Sequence, residues 1–172
     1  MVKLFSTFIL VFIVLGSFAQ NINLHDVRKD FNKGVQNEAL CKKYLQHLQN
    51  NAKSPLEKGY EAAFHMFMAK HTSNPFKKMN YFKGGKKMLE TQIKAEPNNT
   101  ELRFIRLCIQ YYIPDFLGYK QNIDEDKSFL VNNLHKMSDE KTKEIIFKYL
   151  KGAKMFFSSR RRHTRSLRDW SS

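Results

Sequence analysis

Apolar side chains in this chain recur every three or four residues, the spacing of one helix face, and no stretch alternates as a strand would. Capping and turn residues divide the pattern into segments, of which Ser54-Pro55-Leu56-Glu57 and Asn74-Pro75 are the strongest helix starts. We therefore expect seven helices, at about residues 24–34, 37–49, 55–68, 75–95, 99–113, 124–136 and 139–157.

The helix expected before Pro114 is the centre of the pattern, because apolar residues occupy almost every side of it. Such a helix is buried by its neighbours. We expect Asn98 to cap it, Glu101 to complete a capping box, and Pro114 to end it. Its only polar stripe is Arg103, Arg106 and Gln110.

Short polar connections between the segments favour antiparallel neighbours, so the sequence predicts one all-α domain of helical hairpins over residues 20–157. The pair Gly84-Gly85 interrupts the helix expected at 75–95. It indicates either a kink or the close approach of another helix. A kink is favoured, since Lys86 would otherwise fall on the apolar arc.

The amino terminus has the pattern of an export signal. Lys3 precedes an apolar run from Leu4 to Leu15, and small residues precede a cut before Gln20. The run is short for a membrane-spanning helix, which needs roughly 20 apolar residues. We expect residues 1–19 to be a cleaved signal peptide and the mature chain to be periplasmic or secreted.

The carboxyl-terminal stretch Ser158–Ser172 resembles the translation of a sequencing-library adapter, including its run Ser-Ser-Arg-Arg-Arg-His-Thr-Arg. The resemblance implies an artefact rather than a native basic tail, and we exclude these residues from fold reasoning. Without the tail's five arginines and Asp169, and without Lys3, the net charge falls from +14 to about +9. The remaining excess suits an anionic surface or acidic partner, although a solvated lysine-rich surface explains it too.

Residues Lys58–Arg106 resemble tetratricopeptide-type helical hairpins. Gly59-Tyr60 and Ala63 lie where that motif places glycine, aromatic and small residues, and Ile93–Glu101 resembles its link between repeats. No 34-residue period recurs, which departs from a regular array. The mature chain also resembles small exported Bacteroidetes proteins without an assigned activity, through Ala19-Gln20, Glu101–Arg106 and Phe116–Tyr119. This resemblance implies a periplasmic or secreted location.

The candidate partner-binding residues are Arg103, Arg106, Gln110 and Tyr119. Two arginines one turn apart can hold a carboxylate or a phosphate. The alternatives are internal pairing with Glu101, Asp115 or Asp124, or a simple solvent stripe. The apolar loop Phe116–Tyr119 is either an exposed recognition loop or, as we favour, a cover over the core.

No residue pattern predicts catalysis, a metal site or a cofactor. The histidines at 25, 47, 65, 71 and 135 lack metal-ligand spacing, and Asp124-Glu125-Asp126 suits a helix amino terminus better than a calcium loop. Cys41 and Cys108 fit either buried free thiols or one disulfide.

These observations favour a non-enzymatic helical protein of the bacterial envelope that binds a protein or peptide partner. The first alternative is a basic module that rests on an anionic membrane surface, which requires lysines gathered on one face. The second is an enzyme of unrecognised type, which requires Arg103 or Arg106 in a deep pocket beside an acid or histidine. Nucleic acid is not an expected partner, because no binding motif surrounds the lysines of residues 77–87.

Overall fold

A computed structural model describes residues 22–152, and this part of the chain forms eight α-helices and no strand. The predicted all-α fold is confirmed. The helices are α1 (Leu24–Asp30), α2 (Lys33–Gln36), α3 (Glu38–Asn51), α4 (Pro55–Phe67), α5 (Pro75–Ala95), α6 (Thr100–Tyr112), α7 (Ile123–Asn133) and α8 (Glu140–Gly152). The predicted signal peptide, the adapter-like tail and the expected helix end at Phe157 lie outside these residues. None of the described helices is long and apolar enough to cross a membrane.

Side-chain caps begin most of these helices, as the sequence predicts for two of them. The Ser54 hydroxyl accepts from the Glu57 amide, and the Glu57 carboxylate accepts from the Ser54 amide, so the capping box of α4 is present. Asn74 caps α5, with Pro75 in its first turn. These caps satisfy amides that the helix itself leaves without acceptors.

The capping box predicted for α6 is wrong. The cap is Asn99, not Asn98, and its side chain accepts from the amides of Glu101 and Leu102. Glu101 is buried instead, where its carboxylate accepts from Tyr60 at 2.6 Å and from Arg28 at 2.6 and 2.9 Å. The charge-assisted hydrogen bonds from Arg28, 73 residues away, are stronger than the bond that a backbone amide in the same turn would donate to this carboxylate.

Helix α6 is buried on most sides, as predicted, and it packs against α4, α5 and α7. Helix α4 packs against α3 and α5 as well, so neighbours in sequence pair as helical hairpins. An aromatic cluster joins the hairpins: the Phe31 ring meets those of Tyr60, Phe64 and Phe104 at centroid distances of 5.5 to 6.1 Å. Tyr149 of α8 extends the cluster through edge contact with Phe104 at 5.3 Å.

Helix boundaries differ from the predictions at two places. The first segment is two helices, α1 and α2, since a turn at Phe31 and Asn32 separates them. The segment predicted at 124–136 is α-helical only to Asn133, and a 3-10 turn, Leu134–Lys136, follows.

The pair Gly84-Gly85 lies where α4 approaches closely, which was the alternative to a kink, and α5 is one helix from Pro75 to Ala95. A Cβ atom at Gly85 would lie 2.6 Å from the Ala62 carbonyl oxygen and 2.4 Å from the Met66 Cγ atom of α4. The Lys86 ammonium lies 4.6 Å from the centre of the Tyr119 ring, so a cation–π contact accommodates this lysine beside the apolar arc.

We predict that Gly85→Ala destabilises the protein by about 1–3 kcal/mol, because the methyl group overlaps the backbone of α4. Gly152→Ala is the control, since no described residue lies within 4 Å of its added Cβ, and it should cause no loss. Urea unfolding followed by circular dichroism measures both variants. Equal stability of the two variants would contradict the close-packing explanation.

Candidate functional site

The structure brings the four candidate residues into one buried polar network between α5, α6 and α7. Arg103, Arg106 and Gln110 share a face of α6 at spacings of three and four residues. Tyr119, from the loop after α6, joins them through Glu90 of α5. We call this group, with its partners, the α6 network.

Arg106 and Asp126 form the centre of the α6 network. The guanidinium donates from Nε to Oδ2 and from a terminal nitrogen to Oδ1, both at 2.7 Å, and Asp126 is 0% exposed. The other terminal nitrogen donates to Glu90 at 3.1 Å. Burial lowers the pKa of Arg106, but the hydrogen bond and charge of Asp126 outweigh it and raise that pKa above its ordinary value.

Arg103 is also bound within the chain, through two of its three guanidinium nitrogens. Its Nε donates to the Pro97 carbonyl at 2.9 Å, and one terminal nitrogen donates to Glu125 at 2.5 Å and to Asp126 at 3.0 Å. The guanidinium also lies over the Phe129 ring, 5.1 Å from its centre. Arg103 therefore fixes the loop before α6 to the first turns of α7.

Gln110 and Tyr119 complete the network at its other end. The Gln110 side chain donates to the Asn122 side chain at 3.3 Å and accepts from the Asn122 amide at 3.2 Å, just before α7 begins. The Tyr119 hydroxyl donates to Glu90. Burial, with this hydrogen bond, raises the pKa of Tyr119, so the phenol stays protonated.

The internal-pairing alternative for the two arginines describes the structure, but its predicted acids are wrong. Neither Glu101, Asp115 nor Asp124 pairs with them; Glu90, Glu125 and Asp126 do. In the acidic run at 124–126, Glu125 and Asp126 thus form ion pairs with the arginines in addition to lying at a helix amino terminus. No buried side-chain nitrogen or oxygen of the described residues lacks a partner. Partner binding by the four residues would require the network to open, and it stays a prediction.

A second ion-pair cluster, missed by the sequence analysis, ties the amino-terminal helix to the core. Arg28 of α1 forms an ion pair with Glu101 of α6. The Arg28 guanidinium also lies 3.7 Å from the carboxylate of Asp139, just before α8. Tyr60 of α4 donates to the same Glu101 carboxylate. One carboxylate therefore links three helices, and the only sequence signal was an acid on an otherwise apolar helix.

The loop Phe116–Tyr119 combines the two predicted arrangements, because one end covers the core and the other is exposed. Tyr119 is buried, whereas Phe116 is 72% exposed on a 3-10 turn. Gly118 adopts φ +59°, a left-handed conformation that side chains resist, and this lets the chain reverse between the two.

An apolar groove lies between α7 and α8, away from the α6 network. Its floor is Leu130 and Leu134, which are buried, and its walls include Val131 and Phe147, which are 62% and 51% exposed. The groove encloses about 800 Å³. His135, Glu140, Lys141, Lys143 and Glu144 form its rim. The apolar spacing of α7 and α8 predicted that these residues face the core, so the sequence did not predict this groove.

Histidine side chains near the core are used for packing and backbone bonding. His65 Nδ1 lies 2.9 Å from the Tyr81 carbonyl oxygen, and His71 Nε2 lies 2.8 Å from that of Gly34. Within residues 22–152, no three histidine, cysteine or acidic side chains gather as metal ligands.

Both cysteines are free and buried, which corresponds to the unpaired alternative. Cys41 donates to the Phe64 carbonyl at 3.4 Å. Burial, with a smaller effect of Glu38, raises the Cys41 pKa to about 12, and burial raises that of Cys108 well above its usual range. Neither thiol forms an appreciable amount of thiolate near neutral pH.

We predict that neither thiol of the folded protein reacts with a chromogenic aromatic disulfide reagent at about pH 8, whereas both react after unfolding. The folded-state rate should be roughly a thousandfold lower or slower still, because thiolate is scarce and access is blocked. Absorbance in native and denaturing buffers, without reductant, measures both states. An unfolded chain without reactive thiols would show a disulfide and contradict the structure.

Comparison with protein families, curated proteins and solved structures finds no match to this chain. The resemblances to tetratricopeptide-type hairpins and to exported Bacteroidetes proteins therefore stay predictions.

Proposed function

We propose that this protein is an exported, non-enzymatic helical protein that binds a protein or peptide partner in the bacterial envelope. The observation that carries the proposal is the α7–α8 groove, where two apolar side chains stand exposed beside a buried apolar floor. Export rests on the leader pattern of residues 1–19. The proposal moves the binding site from the α6 network to this groove.

The shape and lining of the groove support recognition of apolar side chains. Its volume falls within the few hundred to one thousand Å³ typical of binding pockets. Scattered exposed apolar residues are ordinary, but two that flank one concave surface form a contact site. Because two helices wall the groove, the matching partner is an amphipathic helix whose apolar residues recur at three and four positions.

The charges on the rim support this choice of partner. Lys143 pairs with Glu140 at 2.5 Å, and Lys148 pairs with Glu144 at 2.7 Å, so both rim acids are neutralised within the chain. With its two acids neutralised, the rim does not favour a strongly cationic ligand.

We predict that a displayed library of helical peptides yields binders with apolar residues at three- and four-residue spacing. The double variant Val131→Ser/Phe147→Ser should weaken their binding at least tenfold, since each buried apolar side chain contributes about 1.5–3 kcal/mol. Isothermal titration calorimetry measures the affinity of each selected peptide. Both substituted side chains are exposed, so the fold should persist, which circular dichroism checks.

Phe116→Ser is the matched control, because it removes an aromatic side chain that is at least as exposed but lies outside the groove. The selected peptides should bind Phe116→Ser with the same affinity as they bind the parent protein. A library without binders, or equal affinities for the groove variant and the control, would rule out the groove as the binding site.

A further inference from the structure

Residues 62–89 contain no aspartate or glutamate, although they contain six lysines. This stretch covers the end of α4, the connection to α5 and most of α5. Glu90 is the one acid of α5, and its carboxylate turns toward Arg106 and Tyr119 in the α6 network. The outer side of α5 therefore keeps its positive charge.

Four exposed side chains form a straight line along the outer side of α5. Phe76, Lys83, Lys87 and Lys94 follow one another at spacings of seven, four and seven residues. At 3.6 residues per turn they fall within an arc of about 40°, over a length of about 27 Å. Phe76, at the amino-terminal end, is 81% exposed, and Met79 beside it is also exposed. We call these four residues the α5 stripe.

The lysines of the stripe have no acidic partners within the described part of the chain. Four lysines on other helices are neutralised locally: Lys33, Lys42, Lys143 and Lys148 pair with acids three or four residues away. Glu90 lies three residues after Lys87 and four before Lys94, but its carboxylate binds Arg106 and Tyr119, and no salt bridge among the described residues joins it to a stripe lysine. Their charge is directed at solvent.

We propose that the α5 stripe docks on an anionic lipid bilayer, with Phe76 entering the interface and the three lysines at the level of the headgroups. A helix face is convex and the stripe is straight, which fits a flat surface, whereas peptide recognition uses a groove or pocket. Lysines act as mobile point charges, which suits diffuse attraction to many headgroups. Phenylalanine is among the side chains that interfacial helices bury at the headgroup boundary.

The stripe lies on a different helix from the α7–α8 groove, so the two proposals stand independently. Docking through α5 would hold the protein at a membrane while it binds its partner. Three of the six lysines of α5 line this exposed face, and the membrane-surface hypothesis depends on such an arrangement.

The test measures binding of the mature chain, Gln20–Ser172, to phosphatidylcholine vesicles with and without phosphatidylglycerol. We predict binding only to the anionic vesicles, with affinity falling as salt rises. The triple variant Lys83→Gln/Lys87→Gln/Lys94→Gln should lower the partition coefficient about a hundredfold. Phe76→Ser should lower it about tenfold or more.

The matched control is Lys29→Gln/Lys53→Gln/Lys136→Gln, which removes the same charge from exposed positions outside α5. It should lower the partition coefficient by less than about threefold. Every variant keeps the tail arginines, so ratios between variants isolate the stripe. Equal losses for the two triple variants would show that only net charge matters, and would overturn the proposal. Binding to immobilised polyglutamate without binding to vesicles would overturn it in favour of an acidic protein.

Discussion

The buried ion pair between Arg106 and Asp126 is the interaction on which the arrangement of α5, α6 and α7 depends. Taking both charges out of water costs several kcal/mol, and only well-formed hydrogen bonds offset that cost. The bidentate contact at 2.7 Å provides them, and Glu90 and Arg103 occupy the remaining positions. An otherwise apolar helix therefore has one permitted orientation, in which its polar stripe faces the first turns of α7.

Because the polar side chains of α6 are bound within the chain, the proposed binding surfaces lie elsewhere. A guanidinium that donates to Asp126 and Glu90 has little left to offer a ligand, so the open surfaces are those beyond the network. The α7–α8 groove is apolar and concave, whereas the α5 stripe is basic and convex. The first suits a partner helix and the second suits a membrane surface. Glu90 turns inward and binds Arg106 and Tyr119, and no salt bridge among the described residues joins it to the outer lysines of α5.

Local features of the fold were predictable, and long-range pairings were not. Helical spacing, the Ser54 capping box and burial of α6 depend on residues within a turn or two of one another. The partners of Arg106 and Glu101 are 20 and 73 residues away, so sequence spacing could not select them among the other acids. The closeness of α4 to Gly85 and the exposure of Phe147 depend on how helices pack, which periodicity does not specify.

The most direct test of this account is a double-mutant cycle on Arg106 and Asp126, measured by urea unfolding. Arg106→Ala and Asp126→Ala should each cost about 3–5 kcal/mol, because each leaves a buried charge without its partner. The double variant should cost less than their sum by about 1–3 kcal/mol. Lys148→Ala, which breaks an exposed pair, should cost no more than about 1 kcal/mol. Single variants as stable as the parent would contradict the account and leave the α6 arginines available for a ligand.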